Sequence, residues 1–465
     1  MEKEQKQKEP FEKRVQICFK GNDVRCLYDK ELDERLAYEI GKAIVSYLNC
    51  GKIVVGHDVR FSSPALKKAL INGITDEGCD VIDIGMIDTP GLYFASGLLD
   101  LPGAIVTASH NPIEYNGIKI VDKRAVPIGM GSGLEKIKEI VLKGNFKEEK
   151  KKGKIVEKNI LPDYRKHILS FIDTKKMDTL SIVVDAGNGI AGKIVPLVSD
   201  ALPVHIIPLC FDISGYFPNH GTNPLLDENT KELRETVVKK NADFGVAFDA
   251  DMDRVFFIDE KGTFLNSSLI AACIIDHFSR EIKKDGFVYS LVTSRILEDI
   301  ARKNDYPLFK EKVGHSFIKK TMKQKHAFFG CEHSGHFYFK DNWFADTGII
   351  TALIVFEIFS HERKKNKKVA FSELFERYKK YAYMREKSFV LKNREHAPEK
   401  IIDHFSRLKP TRIDKLDGFS FDFGSYWFNI RFSQTEPLLR FNFEAINETI
   451  LKEKSAEIEA FLGTL

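Results

Sequence analysis

The sequence has little of what would place it in a special class. No apolar run is long enough to span a bilayer; the longest, "IITALIVFEIF" at 349–359, reads as a buried helix and not an anchor. The first residues, "MEKEQKQKEPFEKR", lack the apolar stretch of a signal peptide. The seven cysteines, at 18, 26, 50, 79, 210, 273 and 331, include no C-x-x-C pair. Their spacing indicates neither a zinc site nor a disulfide framework, and it fits a reducing cytoplasm. Charge of one sign is also scarce: 71 basic side chains face 67 acidic ones, a formal net charge of +4. That argues against a general nucleic-acid binder. The basic stretches "EEKKKGK" (148–154) and "ERKKNKK" (362–368) read as solvated loops. No Gly-x-Ser-x-Gly elbow is present to support a serine hydrolase.

What is there is a rhythm. At 465 residues the chain is too long for one core and implies three or four domains. Short apolar runs, "KIVVG" (52–56), "CDVIDIG" (79–85) and "GAIVTA" (103–108), alternate with helical stretches such as "SPALKKALINGITDEG" (63–78). This predicts a layered α/β domain whose strands are buried on both faces. The rhythm returns through "SIVVDAG" (181–187), "VHIIPLC" (204–210) and "DFGVAFD" (243–249), around the helical "KELRETVVKKNA" (231–242), and again through "FVYSLV" (287–292) and "AFFGCE" (327–332). After about residue 375 the paired runs "SYWFNIRF" (425–432) and "PLLRFNFEA" (437–445) and a closing helix predict a small α+β domain. The expected domains are 1–157, 158–260, 261–372 and 373–465.

Polar residues that follow strands in such sheets are the first place to look for chemistry, because ligands bind beyond the carboxyl ends of the strands. "TASHNP" (107–112) places Ser109 and His110 at one such end, although a plain turn or helix cap would use the same residue types. "DADMDR" (249–254) offers Asp249, Asp251 and Asp253 at alternate positions. Three carboxylates so close repel unless a hard cation sits among them, and a magnesium-like ion is the favoured reading. A calcium loop is disfavoured because Arg254 holds the position that needs glycine. A phosphatase aspartyl nucleophile remains open. "EKVGHS" (311–316) is followed by "GCEHSGHF" (330–337), which presents Glu332, Ser334 and His336 at alternate positions, groups suited to sugar hydroxyls and, for the histidine, to proton movement near neutral pH. In "RFSQTEP" (431–437), Arg431, Ser433, Gln434 and Thr435 cluster as a phosphate-binding turn would, or as an ordinary hairpin.

Together, "FKGNDVR", "VGHDVRFSSP", "TASHNP", "YNGIKI", "FPNHGTNP", "FDADMDR", "VGHSFIKKTM", "CEHSGH" and "RFSQTEP" occur in the order found in the α-D-phosphohexomutases. The chain most resembles the phosphomannomutase/phosphoglucomutase branch, from about residue 17 to the C-terminus. The resemblance implies three related α/β domains with mixed sheets around a cleft, plus a smaller C-terminal α+β domain. It implies reversible phosphoryl transfer between the 1- and 6-positions of mannose and/or glucose phosphates, through a phosphoserine at Ser109 and a hexose 1,6-bisphosphate. Mg²⁺ would be held by Ser109, Asp249, Asp251 and Asp253, and glucose 1,6-bisphosphate or mannose 1,6-bisphosphate would act as activator. His110, Lys119, Arg254 and His336 would join Ser109 in catalysis, with Lys119 a candidate general base. Arg25, Lys312, Gly314, His315, Glu332, Ser334, Arg431, Ser433, Gln434 and Thr435 would bind substrate. The expected partner is a hexose phosphate, with no nucleic acid and no membrane, and the expected state is a monomer or weak dimer in the cytoplasm. Departures from the family pattern are Asn22 for tyrosine, Cys26 for glycine, Ala250 and Met252 for glycines, Val292 for lysine and Gln434 for asparagine. A phosphoglucosamine mutase and a catalytically silent binding protein are the alternatives. Thr107 and Gln434 weigh against the former, whose branch typically has serine and glycine at those places.

Overall fold

A computed structural model describes residues 9–146, 151–391, 396–432 and 438–465. The chain forms two compact units, Met1–Asn266 with Ser334–Leu374, and Ser267–His333 with Phe375–Leu465.

The first unit contains two complete mixed sheets. In the first, the run "KIVVG" forms the strand Lys52–His57, which pairs in parallel with Asp80–Met86 and Gly103–Val106. Helices Glu34–Leu48, Ser63–Asp76 and Leu134–Lys143 cover one face, so Leu36, Ile40, Leu70, Ile74 and Ile137 share a core with Ile53, Val55 and Val106. Helix Thr89–Leu99 packs on the sheet as well. A strand covered on both faces needs no polar alternation, and Gly103–Val106 is accordingly buried at every position. The chain then turns through residues 107–114 and returns antiparallel as Tyr115–Asp122.

The second sheet repeats the device. Phe244–Phe248 runs parallel to Leu180–Asp185, and after residues 249–254 the chain returns antiparallel as Val255–Ile258. Both "TASHNP" and "DADMDR" therefore occupy the turn between a buried parallel strand and an antiparallel return. The run at 349–359 lies within helix Gly348–Lys365, buried along most of its length, with Phe356 and Phe359 against Phe244 at ring-centroid distances of 5.4 and 5.8 Å. No helix among the described residues is long and apolar enough to cross a membrane.

In the second unit, Phe287–Ser290 pairs in parallel with Leu308–Glu311 and Phe329–Cys331. An antiparallel sheet follows in the order Ala382–Val390, Leu438–Ala445, Tyr426–Phe432, Phe419–Asp422, Arg412–Asp414. Its core is aromatic, with Phe405, Phe421, Phe428, Phe441 and Phe443 in one cluster beneath helices Ala397–Arg407 and Glu448–Leu462.

One expectation from spacing is overturned. Cys18 and Cys26, eight residues apart, are joined as a disulfide. Helix Phe11–Cys18 ends where a short turn, closed by the Phe19–Val24 bridge, leads into strand Val24–Leu27, and this reversal brings the two buried side chains together. Cys26 thus has a partner in the place where the family resemblance leads one to expect glycine.

Candidate active site

The turn bearing Ser109 is pinned from beneath by a residue to which the sequence alone gave no role. Arg60, fully buried, donates from Nη2 to the carbonyls of Ser109 and Asn111, both at 2.6 Å, and from Nη1 to those of Pro112 and Tyr115 at 2.9 and 3.1 Å. Asp58 holds Arg60 in turn, accepting from its backbone N–H at 2.9 Å and lying 3.4 Å from Nε. One guanidinium donates to three carbonyls of the turn and to that of Tyr115, the first residue of the returning strand. The Ser109 backbone is left-handed at φ +50°. That conformation is uncommon for a residue with a Cβ, and the surrounding bonds hold it.

Ser109 Oγ donates to Asp249 Oδ2 at 2.8 Å and lies 3.2 Å from His110 Nδ1. Burial, followed by the charges of Arg254 and Arg25, pushes the His110 imidazole well below its ordinary range, so it is neutral near pH 7. Asp249, Asp251 and Asp253 converge, with their ligand atoms within 4.8 Å of one another, and all three are buried. Burial and then the repulsion of Asp253 and Asp251 push Asp249 well above the usual carboxylate range. For Asp253 burial also opposes ionisation, but the charges of Lys119 and then Arg254 outweigh it and hold the group well below that range.

Lys119 Nζ donates to Asp251 Oδ2 at 2.7 Å and Asp253 Oδ2 at 2.6 Å. Burial opposes its charge, yet these two carboxylates hold the ammonium well above its ordinary value. In this arrangement Lys119 is a cation and not a free base. The remaining oxygens Asp251 Oδ1 and Asp253 Oδ1 are buried with no hydrogen-bond partner. Two unpartnered carboxylate oxygens beside a third carboxylate are the donor set of a small hard cation, so the residues present fit a magnesium ion.

Arg254 Nε donates to His336 Nε2 at 2.9 Å, and its backbone N–H donates to Asp249 Oδ1 at 3.2 Å. Because His336 Nε2 accepts, the ring proton sits on Nδ1 and is donated to Asp346 Oδ2 at 2.8 Å. Arg25 Nη1 reaches Asn111 Oδ1 at 2.8 Å, which ties the first motif to the serine turn. Thr89 Oγ1 donates to Asp251 Oδ2 at 2.6 Å. Ser109, His110, Lys119, Asp249, Asp251, Asp253, Arg254, His336 and Arg25 are thus brought together within the first unit, which also carries Ser334. Asp346 and Thr89 join them from stretches that the sequence did not single out, and Arg60 from a motif in which it was given no role.

In the second unit Gly314 N–H donates to Glu332 Oε2 at 2.9 Å, so the "VGHS" and "CEH" stretches meet. Gly314, at φ +133°, precedes His315 at the start of helix His315–Lys325. Lys312 Nζ lies 5.8 Å from the centre of the Phe317 ring. Arg431 is bound to Glu386, a residue the sequence did not single out. Burial opposes ionisation of Glu386, but His333, Arg431 and Arg440 hold it well below the usual carboxylate range. Ser433, Gln434 and Thr435 lie outside the described residues.

Three family models match the chain: Phosphoglucomutase/phosphomannomutase, alpha/beta/alpha domain I at residues 16–148, domain II at 162–262 and domain III at 266–381. A phosphomannomutase of Vibrio cholerae is 34% identical over 96% of this chain and 98% of its own, and one of Methanocaldococcus jannaschii is 37% identical over 97% and 98%. The chain belongs to the phosphoglucomutase/phosphomannomutase family. It is a phosphohexomutase, an enzyme that moves a phosphoryl group between positions of a hexose phosphate. A solved phosphoglucomutase/phosphomannomutase family protein from Burkholderia thailandensis has the same fold, with TM-score 0.85, 28% identity and 97% of each chain covered.

The phosphohexomutase cluster yields two stability tests. Met252 occupies a left-handed position, φ +62°, where the family pattern has glycine, yet its side chain is completely buried. Met252→Gly relieves backbone strain of about 1–3 kcal/mol but gives up buried side-chain volume worth about 2–5 kcal/mol. The expected outcome is a lower denaturant midpoint, because burial outweighs strain. A rise in the midpoint would show that the methionine is a liability.

Asp88, fully buried beside Tyr164, whose hydroxyl donates to it at 2.7 Å, is pushed up to about 7 by burial. Below about pH 4 the group is protonated whether the chain is folded or not, and it costs nothing. Between about pH 4 and 7 the unfolded chain releases the proton while the folded chain keeps it, so stability falls, by about 4 kcal/mol in all, and levels off above 7. Asp88→Asn is expected to flatten this descent in urea unfolding measured between pH 5 and 8. An unchanged slope would contradict it.

Proposed function

We propose that Ser109 carries the phosphoryl group. The phosphorylated serine donates it to a mannose or glucose 1- or 6-phosphate, forming the 1,6-bisphosphate; the sugar reorients and returns its other phosphoryl to Ser109 Oγ. The observation that carries this reading is the 2.8 Å bond from Ser109 Oγ to Asp249 within a buried cluster of three carboxylates, Lys119 and Arg254. Mg²⁺ held by Asp249, Asp251, Asp253 and phosphorylated Ser109 would supply charge neutralisation at the transferring group.

The chain's own residues do the rest. Arg254 and Lys119 offset negative charge near the transferring phosphoryl, and the Arg60 clamp holds the serine turn in line. Neutral His110 sits beside Oγ. His336 handles a proton at Nε2 once the Arg254 Nε–H turns from that nitrogen to phosphate, while Asp346 keeps the opposite nitrogen protonated. Arg25, Lys312, Gly314, His315, Glu332, Ser334, Arg431, Ser433, Gln434 and Thr435 bind the sugar hydroxyls and the non-reacting phosphate. Glu332, buried and oriented by the Gly314 N–H, supports this as a fixed acceptor. Glucose 1,6-bisphosphate or mannose 1,6-bisphosphate restores the phosphoserine, and the enzyme works in the cytoplasm.

Glucose and mannose differ only at the 2-hydroxyl, so a site that grips the 3- and 4-hydroxyls through Glu332 and Ser334 is nearly blind to the difference. Discrimination by one such group is worth about 1–3 kcal/mol unless a buried partner is left unpaired. Values of kcat/KM for glucose 1-phosphate and mannose 1-phosphate are expected to agree within about 100-fold on that basis, with both above glucosamine 1-phosphate. Preference for the glucosamine substrate would overturn the substrate assignment and favour the phosphoglucosamine mutase reading.

A further inference from the structure

A second cluster of metal-ligating side chains lies in the first unit, away from the three aspartates. Asp185 ends strand Leu180–Asp185, and Cys210 directly follows the parallel neighbouring strand Val204–Leu209. His220 stands ten residues further on. Their ligand atoms lie within 4.8 Å of one another. His220 Nε2 is 3.1 and 3.2 Å from the two Asp185 carboxylate oxygens. We propose that Asp185, Cys210 and His220 form a second metal site, for zinc, that fixes the root of the loop reaching from this sheet to the serine turn.

The orientation of the histidine is the first argument. Its Nδ1 lies 2.9 Å from the Gly221 carbonyl, which can only accept, so the Nδ1–H donates there. Nε2 thereby faces the other two groups and offers its lone pair to a metal once its proton leaves, and this backbone anchoring is the usual arrangement of a ligating imidazole. Distance is the second. A tetrahedral zinc with nitrogen and oxygen ligands at about 2.0–2.1 Å has an N-to-O edge of about 3.3 Å, close to the separation already present. The third is the thiol. A histidine–aspartate ion pair needs no sulfur, yet Cys210 is held at φ +53° with its carbonyl accepting from Asn188 N–H at 2.8 Å, a conformation that costs energy. Asp185 is fixed as well, accepting from Gly187 N–H at 2.9 Å. Mixed oxygen, nitrogen and sulfur donors select zinc over magnesium. Binding displaces two protons, one from the thiol and one from the Nε2 of a protonated ring, and leaves a fourth position for water.

The consequence reaches the catalytic turn. Between the metal ligands and residue 222, Gly215 accepts from the Phe61 N–H at 3.4 Å and Tyr216 stacks on Phe61 at 5.2 Å. Thr222 Oγ1 then donates to the carbonyls of His110 and Asn111 at 2.8 and 2.9 Å. A cation at the root stiffens a loop whose tip holds the residues flanking Ser109.

Full-length protein stripped with a chelator and given Co²⁺ alone tests the site, because the three-aspartate cluster contains no sulfur. A thiolate-to-cobalt charge-transfer band is expected, kept in Asp251→Asn and lost in Cys210→Ser. No band in the wild type, or a band that survives Cys210→Ser, overturns the proposal. Should Cys210→Ser fail to fold, alkylation of the wild type decides: one equivalent of Zn²⁺ is expected to slow modification of Cys210, read by peptide mapping, by at least tenfold. Unchanged modification of Cys210 overturns it.

Discussion

Ser109→Ala folds normally and loses mutase turnover by about 10³-fold or more, because the group that carries the phosphoryl is gone and the other hydroxyl of the cluster, on Thr89, is engaged by Asp251. The structural cost is small. The alanine occupies the same left-handed position, the Arg60 clamp acts on backbone carbonyls that the substitution leaves in place, and only the 2.8 Å bond to Asp249 is lost. One such bond contributes about 1 kcal/mol or somewhat more when its acceptor is charged. Thermal unfolding alongside a coupled turnover assay separates the two effects. Turnover near the wild-type rate would show that Ser109 is not the carrier. A comparable loss of stability and activity would show that the turn was disrupted instead.

Asp251→Asn removes one unit of negative charge where Lys119, Thr89 and the unpartnered Oδ1 meet. The amide keeps the shape and accepts from Thr89, but it binds a hard cation poorly and leaves Lys119 with Asp253 as its one remaining carboxylate partner. The expected result is a fall of about 10²–10³-fold in kcat at saturating sugar phosphate, the scale of several kcal/mol of lost charge stabilisation, with a higher Mg²⁺ requirement. A Mg²⁺ titration of wild type and variant measures both. If exhaustive chelation leaves both enzymes active, the three aspartates are structural.

The parts of this site that were legible in the sequence are those written locally. "GAIV" followed by "TASHNP", and "FGVAF" followed by "DADMDR", each place an apolar run, a polar turn and a second apolar run within about twenty residues, so the strand-turn-strand unit and its contents are read together. The pairing of Tyr426–Phe432 with Leu438–Ala445 follows from the same short-range patterns, whereas the mixed character of the sheets was implied by the family resemblance. What stayed hidden is carried by long-range partners. Arg60 lies 49 residues from the Ser109 carbonyl it clamps, and nothing in "VGHDVRFSSP" distinguishes a loop anchor from a surface arginine. Asp88 reads as an ordinary helix N-cap, and its perturbation comes from burial that no local pattern encodes. Glu386 lies 45 residues before Arg431 on the same sheet, with strand Leu438–Ala445 between their two strands, and the balance between them appears only when the sheet is assembled. Cysteine spacing failed for Cys18 and Cys26 because a helix end and a strand reverse direction between them.

The central claim is that the phosphoryl group resides on Ser109. Intact-mass and peptide-mapping measurements of the protein, after incubation with glucose 1,6-bisphosphate and Mg²⁺, test it directly. The expected result is one stable added phosphoryl group located on Ser109 in the wild type, and none in Ser109→Ala. A labile acyl phosphate on Asp249, or full turnover with no modification of Ser109, would contradict it.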